Sequence, residues 1–188
     1  MLVYAIRHGE SENNLKGLWT GWFNAQLTDK GREDAKRAGT FLADLNFDKI
    51  YTSDLDRAKE TAQTAIPGCS YEVSELLREI NVGNLAARPL SVLTDEDKAR
   101  VASEGYVSFD GESKEAFRGR IREFMKKLEG LECERVAIFS HAGWIRFFLD
   151  EIVGLYLPRK HILCGNCAIA VFQYEKAIWR LHSWINLD

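Results

Sequence analysis

The sequence predicts an α/β chain: a three-layer sandwich in which a mostly parallel sheet carries helices on both faces and has an antiparallel edge strand. Three observations predict it. Short apolar runs alternate along the chain with amphipathic segments of helical period. Three of those runs stop at a polar turn, and two of the turns open directly into a helical pattern. The last two runs, AIAVFQY and KAIWRLHSW, flank Glu175-Lys176 and read as a hairpin, a connection that only antiparallel strands can make.

The first run, LVYAI over residues 2–6, is a buried strand that meets Arg7-His8-Gly9-Glu10. Thr28 caps a helix of about four turns, on which Ala35, Ala38, Phe41, Leu42 and Leu45 recur at helical spacing. DKIYT (48–52) is a second strand. Ser53 precedes Asp56 at a spacing close to a capping box, which opens DLDRAKETAQTA as a helix that Pro67-Gly68 stops. The stretch 81–110 carries no decodable motif, and another helix opens near Ser113. ERVAIF (134–139) is a third buried strand, followed by Ser140-His141-Ala142-Gly143 and the helical pattern WIRFFLDEIVGLY. Trp179 and Trp184 are expected in the core on strand faces, and His161 and His182 in structural roles. No repeat, linker or low-complexity tract divides residues 1–188, so a single domain is expected.

With 188 residues, 46% of them hydrophobic, the chain can bury a full core. Its 25 basic and 28 acidic side chains leave a formal charge of −3, so no global field favours nucleic acid or an anionic membrane as partner. No stretch approaches the roughly 20 apolar residues of a membrane span, and MLVYAIRHGE lacks the features of a signal peptide, so a cytoplasmic location is expected. Four scattered cysteines fit reduced thiols better than a disulfide framework. Cys164 and Cys167 form a C-x-x-C pair, but no second pair or H-x-x-x-H completes a zinc site, and they lead into a strand rather than a helix. They read as half-buried thiols at a strand start, and neither a metal nor a cofactor is expected. Oligomeric state is not legible.

The chemistry-bearing residues share a position. Arg7-His8, the segment from Ser53 to Arg57, and His141 each follow a predicted parallel strand, where open α/β sheets bind ligands. The second and third also open helices, whose free N–H groups and dipoles favour an anion such as phosphate. Two arginines and two histidines therefore converge on one crevice.

At this point a family resemblance enters. Arg7-His8-Gly9-Glu10-Ser11 resembles the R-H-G-[EQ]-[ST] signature of the histidine phosphatase, or phosphoglycerate mutase-like, superfamily. Asn14 matches a phosphate-contacting asparagine, Leu27-Thr28 and Gly31 an L-[TS]-x-x-G, and Ser53 through Ala62 an S-D-L-x-R-A-x-x-T-A. Glu79 falls where the family carries its proton donor, Gly111-Glu112-Ser113 matches a helix start, and Ser140-His141-Ala142-Gly143 matches the turn bearing a second histidine.

The resemblance implies a phosphatase for a small phosphate ester, with His8 as nucleophile and Arg7, Arg57 and His141 around the transferring phosphoryl group. Glu79 would protonate the leaving oxygen, and Asn14, Thr20 and Gly21 would contact substrate. Arginines would supply the charge that phosphoryl transfer needs, without a metal. A mutase and a non-catalytic phosphate-binding module are the alternatives. Trp19-Thr20-Gly21-Trp22 is mutase-like, but Leu18 stands where the mutase pattern has arginine. The mutases' cationic stretch is also absent, leaving Arg88, Lys98 and Arg100 scattered. Asn84-Leu85-Ala86-Ala87 departs from the G-E-W-E-G of many family phosphatases.

Overall fold

The computed structural model describes residues 1–155 and 161–187. Strands β1 (Leu2–Arg7), β2 (Lys49–Thr52), β3 (Glu72–Val73), β4 (Arg135–Ser140), β5 (Ile169–Glu175) and β6 (Ile178–Ile185) form a six-stranded sheet of order β3-β2-β4-β1-β5-β6. From β3 to β1 every pairing is parallel, whereas β5 runs antiparallel to both β1 and β6. The mostly parallel sheet is as expected, and its antiparallel side is a whole hairpin. Lys176 and Ala177 turn that hairpin with φ of 51° and 59°, the left-handed pair that suits the twist of the flanking strands.

Alternation along the strands decides which helices pack where. Val3 and Ala5 of β1 face the same cluster as Val136 and Ile138, shared with α5 (Lys114–Glu129) and α6 (Ala142–Val153). Tyr4 and Ile6 face the other way with Ala137 and Phe139, against Leu42 of α2 (Asp29–Leu42) and Ala62 of α3 (Asp56–Ala65). The result is three layers. Among the described residues no helix is long and apolar enough to cross a membrane.

Several local expectations change. Thr28 caps α2 by accepting from Gly31 N, but α2 ends at Leu42, with Leu45 packed beyond it. Ser53 does not cap α3. The cap position is Leu55, without a side-chain bond, and the Ser53 hydroxyl accepts from Leu55 N at 3.4 Å and meets His141 Nε2 at 3.0 Å. The short helix α1 (Glu12–Leu15), strand β3, and helix α4 (Asp95–Glu104) inside the 81–110 stretch were not anticipated. Trp179 and Trp184 are only partly buried at the core's edge, where their indole N–H groups donate to Glu129 and to the Leu163 carbonyl. His161 and His182 are exposed rather than structural. Cys164 and Cys167 are free and fully buried, not half-buried, because the turn before β5 folds beneath β1's carboxyl end.

Register sets up the site. Arg7 is level with Ser140 and Thr52 with Phe139, so β1, β2 and β4 end together at one rim of the sheet.

Candidate active site

His8 follows β1 directly and is 5% exposed. Its backbone N–H donates to the Ser140 carbonyl at 3.0 Å, and its carbonyl accepts from Cys167 N and Asn166 Nδ2, so the position is held from both sides. Its ring Nδ1 is 2.7 Å from the Gly9 carbonyl, which can only accept. The proton must therefore sit on Nδ1, and Nε2 carries the lone pair. Burial, then the Arg57 and Arg7 guanidinium groups, hold the imidazole's pKa well below its usual range. It is neutral at physiological pH. The sharp turn behind it needs glycine at both contacting positions. A Cβ on Gly9 would stand 2.2 Å from the Gly31 carbonyl oxygen, and one on Gly31 would stand 2.1 Å from that of Glu10.

Arg57, on the first turn of α3, is 1% exposed. Nε donates toward His8 Nε2 at 3.2 Å, Nη1 to the Phe23 carbonyl at 2.9 Å and Nη2 to the Gly21 carbonyl at 2.8 Å. Burial lowers its pKa to about 10, which leaves it a cation at neutral pH. The neighbouring carboxylates are occupied by other cations, Asp54 by Arg78 and Asp56 by Lys59. Arg7 donates Nη1 to the Cys164 carbonyl at 2.7 Å, while its buried Nε has no acceptor.

His141 lies between β4 and α6, its ring centroid 5.2 Å from that of His8. Nε2 is 3.0 Å from Ser53 Oγ, and the buried Nδ1 has no partner. Burial followed by Arg57 keeps this ring neutral as well. Two buried nitrogens beside His8 thus have no partner: Arg7 Nε, a donor, and His141 Nδ1, which donates in the tautomer whose Nε2 accepts from the Ser53 hydroxyl. A buried donor left unsatisfied costs about 1–3 kcal/mol, which an anion placed there would recover.

Glu79 reaches the same place from a loop between sheet and helices. Oε1 accepts from Ile80 N at 2.9 Å and Oε2 from Gly143 N at 3.0 Å. The approach requires Gly143, since a Cβ there would meet Oε1 at 2.0 Å. Arg120 of α5 fastens the loop by donating to the carbonyls of Leu76 and Glu79 while pairing with Glu112. Trp22 Nε1 donates to the Glu79 carbonyl at 2.7 Å, and the Arg78 guanidinium lies 4.5 Å above the Trp22 ring.

A cavity of about 320 Å³ opens over these groups. Arg7, His8, Asn14, Thr20, Gly21, Arg57 and Glu79 line it, so seven of the eight residues expected from the sequence meet on one wall. His141 is fully buried, and its ring lies against that of His8. Asn14 Oδ1 accepts from Ser11 N and Asn166 Nδ2. Sequence reasoning missed Ser53, whose hydroxyl orients His141, because its spacing to Asp56 suggested a helix cap. It also missed Asn13, Val82, Leu90 and Tyr106, which line the cavity with Leu18 and Trp19, beside Ile80 and Ala142. Asn13 sits on the single-turn helix α1 and Leu90 on a 3-10 turn, and Leu18, Trp19, Val82 and Tyr106 lie in irregular segments, so no periodicity marks an inward face. Among the described residues no group of three or more His, Cys, Asp or Glu side chains is placed to hold a metal ion.

The histidine phosphatase superfamily (branch 1) pattern matches residues 3–187. The chain is 30% identical over 202 residues to the adenosylcobalamin/alpha-ribazole phosphatase of Salmonella typhimurium, covering 96% of this chain and 99% of that protein. It is 28% identical over 192 residues to an Escherichia coli protein named probable phosphoglycerate mutase GpmB, covering 97% and 89% respectively. Among solved structures, the alpha-ribazole phosphatase of Shigella flexneri superposes with a TM-score of 0.85 at 26% identity, over 98% of this chain and 96% of that one. The chain belongs to the histidine phosphatase superfamily, branch 1.

Proposed function

We propose that the protein is a phosphatase that hydrolyses a small phosphate monoester through a phosphohistidine on His8, with Glu79 as proton donor. The observation that carries this reading is His8 itself. A neutral imidazole whose Nδ1–H is committed to the Gly9 carbonyl presents the Nε2 lone pair to a cavity flanked by two guanidinium groups, that of Arg57 fully buried.

In the first step Nε2 attacks phosphorus, the P–O ester bond breaks, and the leaving alkoxide takes a proton from the Glu79 carboxyl. Arg57 Nε–H, released from His8 Nε2, meets a phosphoryl oxygen together with Arg7 Nε–H and His141 Nδ1–H. These fixed donors stabilise the charge spread over the transferring group. In the second step water attacks the phosphohistidine while the Glu79 carboxylate accepts its proton. The P–N bond breaks, inorganic phosphate departs, and neutral His8 is restored.

Mutase activity is the second reading, favoured by the likeness to the E. coli protein and by the Trp19–Trp22 segment at the cavity. Against it, the charged residues on the cavity wall are Arg7, Arg57 and Glu79, so the far end offers no cation for a second anionic group. Arg88 is exposed and off the wall, and Arg100 pairs with Glu96.

Two measurements test the reading. Rapid quench with a ³²P-labelled ester should trap acid-labile, alkali-stable label on His8, with stoichiometric phosphate release on turnover. Label on another residue, or interconversion of phosphoglycerates without phosphate release, would overturn it.

A further inference from the structure

The organic part of the substrate has its own chamber. A second cavity, of about 380 Å³, shares Trp19, Leu90 and Tyr106 with the phosphate crevice and is otherwise walled by Leu93, Val101, Ala102, Lys98 and Lys114. Its surface is mostly hydrocarbon. The Trp19 and Tyr106 rings, which line both spaces, meet edge to face at 5.6 Å between centroids.

The two lysines do not make this an anion site. Lys98 Nζ is ion-paired with Asp95 Oδ1 at 2.8 Å, and Lys114 Nζ donates to the Ala102 carbonyl. A long cationic side chain whose head group is engaged can cover apolar surface with its methylene stem. Leu90, half exposed at the junction, is costly to leave in water unless something apolar covers it.

We infer that this annex binds the leaving group, and that the substrate is a phosphate monoester whose organic moiety is bulky, uncharged and apolar rather than a small hydroxy acid with a second anion. The inference rests on the phosphatase reading of the crevice and assigns its substrate class. The crevice wall carries its charge where phosphorus reacts, and the annex beyond it is mainly hydrocarbon, with paired lysines at its edge and the buried Trp19 Nε1–H as an unpartnered donor. Binding energy collected there, far from the reacting bond, would hold the ester in line with His8 Nε2.

Straight-chain alkylphosphonates, whose C–P bond is not an ester, test the annex without turnover. Calorimetric titration of the full chain with the methyl-to-octyl series should show Kd falling by about three- to fourfold per methylene until the annex is full. Ala102→Phe, at an exposed position on α4, fills the annex and should flatten that dependence. A carboxylate at the far end of the octyl chain should weaken binding. A Kd independent of chain length, no binding of any member, an unchanged slope in Ala102→Phe, or tighter binding of the carboxylate would each overturn the inference. Hydrolysis of ethyl phosphate is scored separately. If it proceeds while the slope is flat, only the annex fails. If the slope is present and no ester is cleaved, the phosphatase reading fails instead.

Discussion

The inner wall of the crevice and its outer wall are built differently. Arg7 and His8 sit at the end of a central strand, Arg57 on the first turn of a helix packed on the sheet, and His141 at the end of β4. All are fixed by backbone carbonyls or neighbouring side chains. Trp19, Val82, Leu90 and Tyr106 come instead from turns and short 3-10 segments, carry no charge, and are partly open to solvent at Leu90. A rigid, charged inner wall can hold donors within a few tenths of an ångström of a transition state. An irregular apolar wall can change with little cost to the chemistry. The difference teaches where reaction and selection reside: substitutions at the inner wall should act on kcat for every ester, and those at the outer wall on KM and on the choice of ester.

His8→Ala is the strongest test of that division. It should lower kcat by at least about 10⁴-fold with every substrate, since loss of the nucleophile in another hydrolase costs about a millionfold. Near-wild-type turnover would place the chemistry elsewhere.

Arg57→Ala removes the Nε–H facing His8 and the two bonds that hold the Gly21 and Phe23 carbonyls. A loss of about two to three orders in kcat is expected, as for one oxyanion donor, together with weaker inhibition by orthovanadate. Arg57→Lys should restore little, because an ammonium cannot make three bonds in one plane. Unchanged kinetics would remove Arg57 from the inner wall's function.

Glu79→Gln sharpens the comparison through the leaving group. Single-turnover phosphorylation should slow by about a hundredfold or more for alkyl phosphates, and far less for p-nitrophenyl phosphate, whose leaving group departs without a proton. Gly143→Ala should reproduce that selectivity, since its methyl displaces the carboxylate. Equal losses with both esters would assign the acid to another group.

Leu90→Ala should do the opposite of all three, raising KM a few-fold for bulky apolar esters, in line with about 1.5–3 kcal/mol for a fully buried leucine and less for one half exposed, with kcat nearly unchanged. A fall in kcat at constant KM would break the division.

The smallest effect is on stability. His8 and His141 are kept neutral in the fold, whereas in the unfolded chain they protonate near pH 6.5. The unfolded state therefore binds more protons below that value. Stability is complete above about pH 6.5 and declines as pH falls, by about 1.4 kcal/mol per pH unit for each histidine. Urea unfolding between about pH 7.5 and 5.5 should show a shallower decline in His141→Gln, and an identical slope would mean that His141 takes up its proton as readily in the fold as in the unfolded chain.

The inner wall was legible because its parts obey short-range rules. An apolar run that stops at Arg7-His8 marks the end of a buried strand, and three such ends must meet in a parallel sheet. Glu79 was legible only through family resemblance, since nothing around LREINVG places it physically. Arg120 and Gly143, which hold it, lie 41 and 64 residues away along the chain.

Two similar spacings show what sequence alone determined and what it could not. Thr94 and Asp97 make a true capping box that starts α4, a signal that was present and went unread amid the polar 81–110 stretch. Ser53 and Asp56 have the same spacing and make no cap. The Ser53 hydroxyl belongs to His141, 88 residues distant, and no local pattern can foretell that a tertiary partner will take it. Sequence by itself determined five of the six strands, the layers and the charged residues at the strand ends, because periodicity and strand-end position are local properties of the chain. Tertiary structure decided which donors were left without acceptors, which glycines let Glu79 approach, and that an apolar chamber adjoins the crevice. Each of those depends on distances between segments far apart in sequence, which only packing sets.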